Sequence, residues 1–582
     1  MARPPVLVLV LVFVFFAFSY RFFLSEAHLP LHDTGFIFQI FKIAYSNFFF
    51  TGELPEWIPQ GVFGYQTHFQ NIFGLGPLSY PVMALGKLFG VLDSLALFKV
   101  VILLEVGVFG FGFLRLADEF FENRYVSLLA LAPLLMTIIV INQITFMFRI
   151  VYLVPLMTYF MLGFFRSGKV WKLMMAAVVV FAALFGTNSY FVIYYAIYGV
   201  VFCAAFYVVG RKNFHLVIDR AGVLGAVAAL CFVGVCSYLV LTSIDGLAFV
   251  VTDRDPVTLK VDLETFLNYG GGGVVKMFEM LVAAPLATLD VTFYVPAAAF
   301  VFAVYGLFRE RDPIFLALVF VFVVMLVLTW GRYSLVAYAL YYIPGVSYLR
   351  HLGLLLVLPK VLLCLIAGFG IQRIVNAADA GAEAFDKERR FLAQVAQFAA
   401  LAVTVVLGAT IFVAGTLDWD SPRAILLAMS AAGFVVIAVT VSKSNLKIPA
   451  LLAVIAAVIV VQGGVYLIRI NTQFSNGYAF SPSVKEEISR ARIYPFDETR
   501  PVISTHPRHD LWQAFKPGNF FFVNYVGLYG ALGLDLCFPV ASQEKVAYFS
   551  PEVGDLVVHQ FGPDADVRQL GALHKKSPDA VF

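Results

Sequence analysis

Charge is what this 582-residue chain has least of: Asp, Glu, Lys and Arg together make up 13% of it, where a soluble domain carries about a quarter. Apolar residues make up 61% and aromatics 16%, with mean hydropathy +0.87. So little charge cannot cover a water-facing surface of this size. That excludes an ordinary cytosolic enzyme, a disordered chain and a nucleic-acid binder, and it makes lipid the solvent. Cysteine is scarce as well. Cys203, Cys231, Cys236 and Cys364 lie inside apolar runs, where a thiol behaves as a small hydrophobe. Cys537 stands alone in the one long polar region, so no disulfide framework is available there, and no CxxC or Cys/His metal spacing occurs anywhere. No P-loop or dinucleotide fingerprint is present. The formal net charge of +3 says little about partners, because in a membrane protein the position of the charges matters more than their sum.

A helix needs about 20 apolar residues to cross a hydrocarbon core of about 30 Å. That ruler places spans near 5–24, 94–114, 125–146, 150–165, 173–187, 189–209, 221–243, 291–308, 313–330, 352–372, 391–416, 423–442 and 448–470, about thirteen in all. The first is followed by Ser25-Glu26-Ala27, which resembles a signal cleavage site, but its apolar run is long for a signal peptide. Orientation follows from the basic residues of the short loops. With the N-terminus inside, the inner loops hold Arg115, Arg124, Arg166, Lys169, Lys172, Arg211, Lys212, Arg220, Arg309, Arg311, Arg373, Lys387, Arg389, Arg390, Lys443 and Lys447. The short outer loops hold only Arg149, Arg332, Arg350 and Arg423. Sixteen against four predicts a cytoplasmic N-terminus and an extracytoplasmic C-terminus.

Residues 1–470 therefore read as a transmembrane domain and 471–582 as a small outer α/β domain with short β-rich runs. Its cluster of His506, Arg508, His509 and Asp510 has no metal-site spacing and reads as an ordinary domain surface. The outer segments 25–93 and 244–290 are too long to be mere connections, and they share their side with the irregular stretch 331–351. The inner side has short basic loops and a polar linker near 373–390. Chemistry, if there is any, is thus expected outside the cytoplasm, where ATP and nucleotide-sugars are not normally available, so a substrate would arrive on a lipid carrier or be present already.

After the first span come His28, His32 and Asp33, then the stretch 36–50, whose Gln39, Lys42 and Ser46 recur at spacings of three and four. A narrow polar stripe on an apolar helix predicts a helix lying in the membrane interface, with Asp33 just before it. That aspartate reads either as a turn or N-cap carboxylate or as a general base at the membrane surface. Farther on, Glu53, Trp57, Gly61, Gly64, Tyr65 and His68 are interleaved with prolines and glycines dense enough to set turns rather than helices. Such aromatic, amide and imidazole side chains can stack on sugars and hydrogen-bond to them; a packed lid is the plainer reading. Arg332, after Trp330-Gly331, and the Arg350-His351 pair stand at outer mouths. They could clamp a phosphate or snorkel at the interface. Asp253, Arg254 and Asp255 read as a solvated turn, and Gly270–Gly273 as a hinge or linker.

The order of these features resembles the YfhO family of bacterial multi-span proteins, within the GT-C-fold glycosyltransferases that use lipid-linked sugars. GELPEWIPQGVFGYQ (52–66) is similar to that family's G-x-x-P-x-W turn. Ile343-Pro344-Gly345 through Arg350 is similar to its outer Pro-Gly…Arg segment. Ala491–Pro495 and Asn524–Gly530 resemble its C-terminal outer domain. Glu56 departs from the pattern, which usually has a bulky apolar or a different polar residue there.

The resemblance implies a GT-C-like helical bundle in the bacterial inner membrane. Such an enzyme transfers a hexosyl or pentosyl group from a polyprenyl-phosphate donor to a cell-envelope glycan outside the cytoplasm. It assigns Asp33 as general base, with His32, Glu53, Trp57, Tyr65, His68, Arg332, Arg350 and His351 as candidate substrate-binding residues. No cofactor is expected; Glu53 leaves a divalent cation open. Membrane lipid is the remaining partner, and nucleic acid is not one. Two other classes compete: a transporter or flippase of lipid-linked sugars, which would favour internal repeats and intramembrane charges such as Glu105, and a non-catalytic envelope assembly protein.

Overall fold

The structure, a computed structural model, describes residues 32–54, 57–58, 65–66, 75–144, 152–186, 191–210, 250–251, 260–268, 293–343, 346–348, 352–414, 422–443, 446–477 and 541–542. Helix α1 (His32–Thr51) is followed by a two-stranded ribbon, β1 (Trp57–Ile58) and β2 (Tyr65–Gln66), and by α2 (Ser79–Leu88). Then come α3 (Ser94–Asp118), α4 (Arg124–Ile144), α5 (Val154–Ser167), α6 (Val170–Gly186) and α7 (Phe191–Gly210). After β3 (Val250–Val251) and the short α8 (Leu263–Asn268), the bundle continues with α9 (Ala297–Arg309), α10 (Pro313–Leu328) and α11 (Leu335–Tyr341). It closes with α12 (Val357–Asp379), α13 (Ala382–Ala414), α14 (Pro422–Ser442), α15 (Ile448–Gly477) and the strand β4 (Ala541–Ser542).

Eleven of the expected spans fall on these helices, and those at 5–24 and 221–243 lie outside the described residues. Among the described residues, three helices are long and apolar enough to cross a membrane by themselves: Ser94–Asp118, Leu352–Asp379 and Ile448–Tyr466. The helix starts follow local chemistry. Asp93 caps α3 by accepting the Ala96 amide at 3.0 Å. Asp312 caps α10 by accepting the amides of Ile314 and Phe315 at 2.8 and 3.3 Å, with Pro313 in the first helical position, where its missing N–H is not needed. Gly168 ends α5 in the left-handed region at φ 63°.

Helix α12 is the centre of the bundle, with every residue from Val357 to Gly368 buried. It crosses α9 where Gly306 faces Gly370. A side chain on Gly370 would lie inside the van der Waals sphere of the Phe302 carbonyl oxygen, and one on Gly306 would sit 3.2 Å from the Ile366 carbonyl. Small residues at a crossing let helix backbones approach closely, which is how helices associate in lipid. Gly370→Ala is therefore expected to push α9 from α12 and destabilise the fold by about 1–3 kcal/mol, the range for overpacked sites. Thermal or SDS unfolding of the purified variant checks it, and an unchanged midpoint would count against the close crossing. Three more helices meet at Gln462 of α15. Its Oε1 accepts the first amide of α9, Ala297, at 2.7 Å, and its Nε2 donates to the Met429 carbonyl of α14 at 2.9 Å. One buried amide thus satisfies two helix-backbone groups that lipid could not.

The two ends of the bundle differ. At one end Arg166 pairs with Glu119 at 2.5 Å, Asn123 donates its amide to Gln372, and the rings of Phe120, Phe121 and Phe315 gather within 5.1–5.5 Å of Phe369. Arg309, Arg373, Arg389 and Arg390 are at this end too, so the described basic residues of the expected inner loops converge. At the other end, β3 pairs with β4 in the register Val250↔Ser542 and Val251↔Ala541. There also the Val261 amide donates to Ser347 at 2.9 Å and the Tyr341 hydroxyl to Val261 at 2.9 Å. The second long loop, the tail and the irregular stretch 331–351 are thus bonded to one another, as segments on a common side must be.

The polar linker expected near 373–390 is instead helix. Helix α12 continues to Asp379 and α13 begins at Ala382, with a turn at Ala380-Gly381 where Gly381 takes φ 124°. Some of its charges pair along the helix. Asp386 pairs with Arg389 three residues on and with Arg390 four residues on, the helical neighbours, and these arginines hold its carboxyl below the usual range. The tail shows β4 and the extension of α15 to Gly477; the remainder of the expected α/β domain lies outside the described residues.

Candidate functional site

The first expected loop begins as helix. Helix α1 starts at His32, so Asp33 occupies its first turn rather than a position ahead of it. Of the expected polar stripe, Lys42 is half-buried and Ser46 buried, where an interfacial helix would leave them to water. Ser46 is 8% exposed among Phe38, Phe41, Ala44 and Tyr45, each exposed by 1% or less, and burial draws the Lys42 ammonium down to about 8. Phe38 and Phe41 pack on Phe98 of α3, with ring centroids 5.3 and 5.5 Å apart. The reason is aromatic bulk: three or four rings on one side outweigh three small polar groups in choosing the buried face.

The C-terminal end of α1 is tied down by residues the sequence did not single out. Lys87 of α2 donates to the Phe48 carbonyl at 2.8 Å and lies 5.0 Å from the Phe48 ring centroid, which satisfies a terminal carbonyl with a cation. Tyr45 donates its hydroxyl to the Val91 carbonyl at 2.5 Å. A basic residue in the last turn of the next helix was the signal available for Lys87; nothing local announces Tyr45. Helix α1 is therefore a fixed platform, held at one end on α2 and along its length on α3.

Glu53 stands just beyond this platform, exposed. Its carbonyl accepts from Asn47 at 3.1 Å and its amide donates to Thr51 at 3.1 Å. Trp57 and Tyr65 come onto one ribbon, whose register pairs Trp57 with Gln66 and Ile58 with Tyr65. Arg332 lies in a three-residue turn, exposed, and bends back over its neighbour: its guanidinium is 4.9 Å from the Tyr333 ring centroid and donates to the Tyr333 hydroxyl at 2.8 Å. His68, Arg350, His351, the 253–255 turn, Gly270–Gly273 and the 506–510 cluster lie outside the described residues. Among the described residues, no group of three or more His, Cys, Asp or Glu is placed to hold a metal ion.

Three ionisable residues inside apolar helices are buried: Lys99 at 4%, Glu105 at 0% and Lys360 at 0% exposure. Glu105 was legible as a lone charge in an apolar run. Lys99 sits six residues into the expected span 94–114, where a long cation can ordinarily snorkel out; Lys360 lies near the middle of the expected span 352–372.

No protein-family model matches the chain, and no curated protein matches it. Among solved structures it is similar to ArnT from Cupriavidus metallidurans bound to undecaprenyl phosphate, with 15% identity and a TM-score of 0.45 over 90% of this chain and 85% of that one. The apo state of ArnT gives 16% identity and a TM-score of 0.46, over 90% and 84%. A superposition this loose decides neither the fold family nor the activity.

Proposed function

We propose that this protein is an integral-membrane glycosyltransferase that takes a sugar from a polyprenyl-phosphate donor and passes it to a cell-envelope glycan outside the cytoplasm. The observation that carries this reading is the position of Asp33 in the first turn of α1, on a platform braced by Tyr45 and Lys87. The carboxylate takes the proton of the acceptor hydroxyl as that oxygen attacks the anomeric carbon, and the lipid phosphate leaves with the bonding pair. Because the leaving group is already an anion-stabilising phosphate, one base suffices. In this reading the protein has a GT-C-like bundle and a C-terminal outer domain, with its N-terminus inside. The resemblance to the YfhO family supports it.

A second reading, transport of lipid-linked sugar, is favoured by one observation: Lys99, Glu105 and Lys360 are buried within helices of the bundle, and intramembrane ionisable groups often mark transport paths. Proteoliposomes loaded with a radiolabelled polyprenyl-phosphate sugar separate the two. Transfer of the label to a water-soluble glycan acceptor supports the transferase. Label that crosses the bilayer while still attached to lipid supports the transporter and overturns the transferase.

A further inference from the structure

At the end of the bundle opposite α1, the termini of α9, α10, α12 and α13 enclose a cleft of about 420 Å³ whose walls include Glu310, Asp312, Phe369, Arg373, Asn376 and Glu388. That volume suits a small ligand or a headgroup. Its charges are unequally used. Glu388 is already saturated: Arg309 grips it with Nε at 2.9 Å and Nη2 at 2.5 Å, and the Tyr305 hydroxyl donates to it at 2.7 Å. Arg373 is left with one long bond to Glu388 at 3.2 Å and a contact with Glu310 at 3.6 Å. Its buried Nε–H has no acceptor among the described residues, although a guanidinium carries five N–H donors.

Opposite it, Glu310 spends Oε1 on the amides of Arg311 and Asp312, and Asp312 spends Oδ1 on the start of α10. The second oxygen of Glu310 stands 3.6 Å from Arg373 Nη1, beyond hydrogen-bond reach, and both carboxylates line the cleft. A lone anion would suit Arg373 but be repelled by the carboxylates, and a lone cation would meet the reverse. A phosphate bearing an ammonium two or three bonds away satisfies both. Asp312, Leu316, Phe320 and Val323 follow one another at spacings of four, four and three, a single helix face. The three apolar members are 44–54% exposed. An acyl chain has a path there from the cleft into the lipid.

We propose that this cleft binds the zwitterionic headgroup of a membrane lipid, an aminoalkyl phosphate ester, with the phosphate on Arg373 and Asn376 and the ammonium on Glu310 and Asp312. The assignment is independent of sugar transfer. It is tested on the full-length protein in detergent by titration with lysophosphatidylethanolamine, lysophosphatidylglycerol and soluble phosphoethanolamine, read as retained ligand in native mass spectrometry. The expected result is about tenfold tighter binding of the ethanolamine lipid than of the glycerol lipid, a 1.4 kcal/mol preference. Asp312→Asn keeps the capping oxygen but removes the charge, and it should erase that preference; Asn376→Leu should weaken both lipids. Equal binding of the two lipids by the unaltered protein would overturn the proposal, as would a preference that survives in Asp312→Asn. Soluble phosphoethanolamine binding as tightly as the lysolipid would overturn the lipid as its source.

Discussion

Asp33→Asn is expected to lower sugar transfer in proteoliposomes by about 10²–10⁴-fold, the contribution of a positioned general base. The amide keeps the shape of the carboxylate and can still sit in the first turn of a helix, but it cannot take a proton from an acceptor hydroxyl. The loss should appear in kcat, with donor KM nearly unchanged, because the substitution touches the proton in flight and not the lipid phosphate. Stability should fall by only about 0.3–1 kcal/mol, the worth of one charge at a helix N-terminus. A variant as active as the unaltered chain would remove Asp33 from the mechanism. A variant that is inactive because it no longer folds would show as a lowered melting midpoint, which separates the two causes.

The second large effect belongs to the opposite end. Glu388 of α13 is the only acid among the described residues that ties α9, α12 and α13 together, through Tyr305, Arg309 and Arg373. Glu388→Gln would leave two guanidinium groups facing one another without their counter-charge. Breaking a buried pair costs about 3–5 kcal/mol; with the arginine side chains 28% and 32% exposed, water reduces this to about 2–3 kcal/mol. The pH dependence has a definite sign. Burial pushes the carboxyl up, but the hydrogen bonds from Arg309, Tyr305 and Arg373 outweigh it and hold the group at about 2, against an ordinary 4.5. The stability this site adds is therefore complete above about pH 4.5 and is lost as pH falls through about 2. SDS unfolding of the unaltered chain and of Glu388→Gln should converge at acidic pH. A constant difference between them down to pH 2 would contradict the pairing.

Hydropathy made most of the fold legible, because in lipid a spanning segment must satisfy its own backbone and so must be a long apolar helix. The alternation of basic loops was readable for the same kind of reason, and Arg166, Arg309 and Arg373 do meet at one end. The sequence could not show the partly charge-paired run 382–390, which composition makes polar and which Asp386, Arg389 and Arg390 turn into ordinary helix. The orientation of α1 was misread because spacing reveals a stripe but not which side the aromatic rings will choose. Trp57 and Tyr65 could be placed in one loop by order, whereas the strand register that pairs Trp57 with Gln66 has no local signal. Lys87, Tyr45 and Gln462 act across 39, 46 and 165 positions, distances over which a single sequence is silent.

The working face, with α1 and Glu53, is expected to lie outside the cytoplasm and the arginine-rich end inside. Single cysteines at Glu53→Cys and Asp379→Cys, in a chain freed of its five native cysteines, can be probed in intact cells with a membrane-impermeant maleimide. Position 53 should react at once from outside, and position 379 only after the membrane is permeabilised. Labelling of position 379 in intact cells, with position 53 protected, would contradict this orientation.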